Sequence, residues 1–375
     1  MANVNGYPED AENRPRPVGG NDVSHNVSTS TGQVFSGTDS LTADLCRKLH
    51  RTMVRARAME ERMIKMAKSG EGFFWIGGPG EEAFNSCLGY QIRKGEGPTF
   101  DYLHLHYRNS ATLVAMGMEL ADGIRQMAMT RTDPFSYGRN FTGHYSRKAW
   151  NVVPITSVIE VQYAMAPGTA LVQKRIPGND AITIVTGGDA GTAEGDFASC
   201  MVWSSRPGNE LPVLMVVMNN GWGISTPCCS IYGDRQIIER GKGFHIPGEV
   251  VDGNDPIASW HAIKRGIEHV RTTRRPFMIE ATVSRLYGHS SSSGAQRVAN
   301  EPDCIALFEE RMLAANAMTT AEISRVHDET KAEIEDALQR VLREERPRPE
   351  DIVRGTYAPS DVDAVYPHEF TGLPN

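Results

Sequence analysis

Two stretches of this chain, AITIVT at 181–186 and LPVLMVVM at 211–218, are apolar and β-branched almost without interruption. A strand with one face in water alternates apolar and polar residues. An unbroken run of strand length therefore belongs to a strand covered on both faces, as in a parallel sheet between helices. Between the runs lie a glycine turn, GGDAGTAEGDF at 187–197, and a helical stretch from about Glu194 to Ser204. Strand, turn, helix and strand make the right-handed crossover unit. The same order recurs in EVVD at 249–252, a helix through Ile257 to Val270, and PFMIEATV at 276–283. The expected fold is α/β, a doubly wound, mostly parallel sheet with helices on both faces.

The flanking segments set the domain limits. Leu45, Leu49, Met53, Ala56, Met59, Met63 and Met66 recur every three or four residues and stop near Gly70, which describes an amphipathic helix with its methionines in the core. Thr319 and Glu322 form a capping-box pattern, and Ile323, Val326, Ile334, Leu338 and Val341 carry a helical face up to RPRPEDIV. Residues 1–40, rich in Gly, Pro, Asn, Ser and Thr, read as a flexible arm; 41–345 read as the α/β domain with its C-terminal helices, and 346–375 as a tail. At 375 residues and 40% hydrophobic content the chain can bury a sizeable core.

Composition removes several classes of function. A formal charge of -7 with no Lys/Arg block argues against nucleic acid as a partner. No apolar run reaches the roughly 18 to 20 residues of a membrane span, and MANVNGYPEDAENRPRP has neither the apolar stretch of a signal peptide nor the acid-poor character of a transit segment. Six cysteines without CxxC spacing, two of them the adjacent Cys228 and Cys229, fit a reducing cytoplasm.

The glycine turn contains one acid, Asp189. It stands at the carboxyl end of one strand, and Asn219 and Asn220 stand at the carboxyl end of the next, so both reach the edge where open α/β sheets bind ligands. A carboxylate beside an amide oxygen is hard-oxygen chemistry suited to Mg2+, which completes its octahedron with phosphate oxygens and water. Gly187, Gly188 and Gly191 are expected to let the backbone approach phosphate, with the following helix offering free N–H groups. A nicotinamide dinucleotide fits less well, because the G-x-G-x-x-G spacing and the acid after the next strand are missing.

GGDAGTAEGDF followed, after one crossover, by NNGWGISTP resembles the thiamine diphosphate fingerprint, and specifically that of the α subunit of the 2-oxo acid dehydrogenases. The resemblance runs from about residue 45 to 345. FFWIGGPGEEA (73–83), HYRNSATLVAMG (106–117), DPFSYGRNFTGHYS (133–146), VDGND (251–255) and SRLYGHSSSS (284–293) are similar to further landmarks of that family. It implies thiamine diphosphate and Mg2+ as cofactors, the metal held by Asp189, the Asn220 side chain and the Trp222 backbone carbonyl. Tyr107 and Arg108 would lie on the diphosphate together with Gly188, Ala190 and Gly191. Arg285 and His289 would stand by the diphosphate and the substrate channel, His289 as the catalytic residue, with His144 near the entrance. TSVIEVQ (156–162) is similar to the segment that places Ser157 at the cofactor and uses Ile159 to wedge it into a bent conformer. The chain departs from the family at Ala190, where glycine is usual, and after Ser290–Ser293, where Gly-Ala-Gln replaces acids.

The activity implied is oxidative decarboxylation of a 2-oxo acid, with transfer of the acyl unit to a lipoyl group on a core acyltransferase. The resemblance also implies a β subunit that supplies the missing glutamate of the cofactor site, in an α2β2 heterotetramer. NNGWGISTP and VDGND resemble the branched-chain members. Pyruvate or acetoin enzymes and a non-catalytic assembly subunit of the same fold remain as alternatives. The alternative reading of His289 is a packing residue of its loop.

Overall fold

The computed structural model describes residues 40–353. The expected arm before Ser40 and the tail beyond residue 353 lie outside the described residues. At the centre is a five-stranded sheet in the order β1-β2-β3-β7-β6, parallel throughout. Its strands are β1 (Tyr102–His104), β2 (Thr183–Gly188), β3 (Val213–Asn219), β6 (Gly248–Asp252) and β7 (Phe277–Thr282). A two-stranded hairpin, β4 (Trp222–Gly223) and β5 (Thr226–Pro227), rises from the end of β3.

The unbroken apolar runs have the cause expected of them. Ile184, Leu214, Val216, Met218 and Ile279 pack into one core with the helices α1 (Ala43–Ser69), α2 (Glu82–Gln91) and α8 (Pro256–Thr273). The alternate residues Val185, Val213, Met215, Val217 and Met278 pack into a second core with α5 (Val161–Arg175) and α6 (Gly195–Ser204). Each fully buried aliphatic side chain contributes roughly 1.5 to 3 kcal/mol, and neither face can be given to water without losing several of them. The strands start two residues later than the apolar runs, at 183 and 213, and Ile182 and Leu211 are buried ahead of them.

The long first helix behaves as read. Thr42 caps α1 by accepting from the Leu45 N–H, and Gly70 ends it at φ 79°. Met53, Met59, Met63 and Met66 are fully buried. Thr319 and Glu322 form the reciprocal capping box of α10 (Thr320–Val341).

Topology positions the site. The chain steps from β1 to β2 to β3 across the sheet, jumps to β6 at the far edge and returns through α8 to β7, beside β3. The direction of winding reverses beyond β3. Such a reversal opens a crevice at the carboxyl edge of the sheet. β1, too short to be recognised in the sequence, delivers His106, Tyr107 and Arg108 to that same edge.

Candidate functional site

Parallel pairing of β2 with β3 brings the two ends together as the sequence required. Asp189, 1% exposed, accepts the Asn220 N–H at 3.4 Å on Oδ1 and the Tyr232 hydroxyl at 3.2 Å on Oδ2. Burial raises its carboxyl to about 6, partly offset by the charge of Arg108 and by the Asn220 amide. The Asn220 amide oxygen accepts the Trp222 N–H at 3.1 Å, closing the turn into the hairpin through Gly221 at φ 76°. The three expected metal ligands therefore share one tight loop junction. A buried carboxylate with an amide oxygen beside it, and no lysine or arginine bonded to it among the described residues, fits a hard divalent cation.

The loop after β1 brings a buried cation to the same edge. Arg108 is buried, with Nη2 donating to His289 Nδ1 at 3.1 Å and to the Tyr107 hydroxyl at 3.4 Å, and Nε 3.9 Å from Glu81. The Tyr107 and His289 rings meet edge-on at 6.1 Å. Burial and then the charges of Arg108 and Arg285 hold the His289 imidazole down to about 3. It is neutral near pH 7. Arg285 takes a different place from His289: its Nη1 donates to the Ile224 carbonyl at 2.8 Å and its guanidinium lies 5.6 Å over the Trp222 ring, so it braces the hairpin.

The segment before α2 locks these loops together. Gly80, at φ 112°, lies so close to the Ser284 carbonyl that a methyl there would overlap it. At its end Glu81 is buried, its Oε1 without a hydrogen bond among the described residues and facing Arg108 Nε at 3.9 Å, and burial pushes its carboxyl up to about 8. The serine loop folds back onto this segment as well. Ser291 donates to the Trp75 carbonyl at 2.8 Å, and Ser290 is buried at 4% exposure.

The remaining candidates divide. His144 is buried and its Nε2 pairs with Ser157 Oγ, so these two belong to one cluster. Ile159 is 49% exposed, so its side chain is not committed to the core. The Ala190 methyl faces Gly223, and the absence of a side chain there makes room for it.

The glycines of the turn have unlike surroundings. Gly188 has an open side, its nearest foreign atom being His106 Nε2 at 3.9 Å from a built methyl, as backbone exposed to a phosphate requires. Gly187 and Gly191 instead make room for a buried carboxyl: a methyl at either would overlap Glu160. Glu160 was invisible as a functional residue in the sequence, because a lone acid in TSVIEVQ carries no spacing signal. Glu81, His106 and Tyr232 were missed for the same reason. For Tyr232, the one signal was its place in the segment just after NNGWGISTP.

Residues 50–350 match the family model described as dehydrogenase E1 component. The α subunit of 2-oxoisovalerate dehydrogenase from Bacillus subtilis (strain 168) is 31% identical over 265 residues, 71% of this chain and 77% of that protein. The mitochondrial α subunit 2 of 2-oxoisovalerate dehydrogenase from Arabidopsis thaliana is 27% identical, over 73% of this chain but only 56% of its own length. The α subunit of the pyruvate dehydrogenase E1 component from Acholeplasma laidlawii is 26% identical over 78% of this chain and 83% of that protein. With four-fifths of its length matched by the family model and the site residues gathered at one sheet edge, the chain belongs to the dehydrogenase E1 component family.

Proposed function

We propose that this chain is the α subunit of a branched-chain 2-oxo acid dehydrogenase. It binds thiamine diphosphate through Mg2+, works in the cytoplasm with a β subunit as an α2β2 heterotetramer, and passes acyl groups to a lipoyl-bearing acyltransferase core. The observation that carries the reading is the convergence of Asp189 and Asn220 with the Arg108–His289 pair at one sheet edge. A non-catalytic assembly subunit has no need of such a set. The 31% identity to a 2-oxoisovalerate enzyme favours branched-chain substrates over pyruvate.

When bound, thiamine diphosphate supplies the carbanion and electron sink for decarboxylation. The protein's part is binding, orientation and proton placement. Asp189, the Asn220 amide oxygen and the Trp222 carbonyl would hold the cation; Gly188 and the start of α6 would face the diphosphate, and Arg108 would neutralise part of its charge. His289 accepts from Arg108 on Nδ1, so its proton resides on Nε2, where a neutral imidazole can donate to a developing anion.

The apolar surface supports a partner. Met165 and Val172 on α5 and Val202 and Trp203 on α6 are all at least 44% exposed on two helices that pack side by side, and Val158 and Ile159 extend the patch toward the site. Exposed apolar side chains on adjacent helices suit a subunit interface. The six cysteines are unpaired, which suits the cytoplasm. The test is reconstitution with the β subunit, following decarboxylation with an artificial electron acceptor. Turnover of 3-methyl-2-oxobutanoate at a kcat/KM at least tenfold above that of pyruvate is expected; the reverse order would overturn the substrate assignment.

A further inference from the structure

β1 pairs with β2 only as far as His104 opposite Val185, so the last residues of β2 have no strand on that side. In a parallel ladder the Thr186 carbonyl and the Gly188 N–H would both bond to one residue of the neighbouring strand. The register would make that residue His106. Its backbone turns away, its N–H donating instead to Asn109 Oδ1 and Thr186 Oγ1. Two side chains from the start of α5 fill the vacancy: Gln162 Nε2 donates to the Thr186 carbonyl at 3.0 Å, and Glu160 Oε1 accepts the Gly188 N–H at 3.1 Å. Together they imitate one residue of a missing strand.

Glu160 is held in this role at a cost to its own backbone. Its φ of 61° lies in the left-handed region, which a glycine would occupy more cheaply, and its side chain is buried in the hollow that Gly187 and Gly191 leave. Gly188 immediately precedes Asp189, whose own N–H bonds to Met218 of β3 at 3.3 Å. The two peptides flanking Gly188 are thus held, one by Glu160 and the next, which leads into the acid, by β3.

We propose that Glu160 is a positioning residue of the metal-binding turn: by clamping the Gly188 N–H in place of a strand, it aims Asp189 at the cation. This rests on the reading of Asp189 as the Mg2+ ligand. A carboxyl is suited to the task because its oxygen accepts the amide whether or not it is ionised, and burial raises this one to about 8. Asp189, Asp196 and Glu194 add to that rise, and the Gly188 amide opposes it.

The test is calorimetric titration of Mg2+, at saturating thiamine diphosphate, into the chain co-purified with its β subunit. Glu160→Ala should weaken Mg2+ binding at least tenfold, while Glu160→Gln, which keeps the acceptor, should stay within about threefold of the parent. Gly191→Ala should show the same loss as Glu160→Ala, because its methyl displaces the carboxyl, and should add nothing further in the Glu160→Ala background. Normal Mg2+ affinity in either Glu160→Ala or Gly191→Ala would overturn the proposal. Asp189→Asn separates the two failures: if it too binds Mg2+ like the parent, the metal assignment is wrong, whereas a loss confined to Asp189→Asn leaves that assignment standing and removes only Glu160.

Discussion

Arg108 Nη2 lies 3.1 Å from His289 Nδ1, and a guanidinium can only donate. The contact therefore fixes the imidazole as the tautomer with its proton on Nε2 and keeps it uncharged. It also links the loop after β1 to the loop after β7, two segments 181 residues apart in the chain.

If His289 acts on the substrate or diphosphate, His289→Ala should reduce turnover by a factor on the order of 10² to 10⁴ with little change in melting temperature. The check is activity per assembled tetramer beside a thermal melt. A sharp fall in melting point with activity retained would show that His289 only packs its loop.

Buried acids give the cation-free chain a pH dependence of definite sign. Burial raises Glu60 to about 7 and Glu81 and Glu160 to about 8, against an ordinary 4.5. These acids bind more protons in the native state than in the unfolded state between about pH 4.5 and 8, so their contribution to stability falls as pH rises through that window, while His104, His106 and His289, which burial holds neutral, act in the opposite sense below pH 6.5. Melting temperatures measured without Mg2+ should decline from pH 7 to pH 9, above the titration of the histidines in the unfolded chain, and Glu81→Gln should flatten the curve there. A melting temperature that rises across this range would contradict the burial of these groups as acids.

Assembly can be probed on the exposed faces of α5 and α6. Trp203→Glu should leave the chain folded but prevent co-purification with the β subunit, and the unpartnered chain should show no decarboxylation. Turnover by the chain alone, or normal assembly of Trp203→Glu, would place the interface elsewhere.

What could be read in advance follows from where information is local. The runs around Ile184 and Val216 announced a sheet covered on both faces because every residue in them is buried, and the helices of Met53–Met66 and Ile334–Val341 announced themselves through caps and periodicity. Asp189 and Asn220 were legible because each ends such a strand. β1 was not, since its three residues are recognisable only by pairing with β2. Glu160 was not, since its importance comes from a left-handed backbone and from a strand that stops early, neither of which leaves a pattern in TSVIEVQ. The room that Gly187 and Gly191 leave for the Glu160 carboxyl was not legible either, since it is set by a side chain from another segment.

The metal site itself is open to the most direct measurement. Asp189 is the one carboxylate proposed to hold Mg2+, and a proton on it competes with the cation. With burial raising the group to about 6, apparent Mg2+ affinity should be nearly constant above pH 7 and fall by close to tenfold per unit below pH 6. Calorimetric titration of thiamine diphosphate with Mg2+ into the assembled tetramer should show Asp189→Asn binding at least tenfold more weakly than the parent at pH 7.5, about 1.4 kcal/mol or more. Equal affinity in the parent and in Asp189→Asn would contradict the account at its centre.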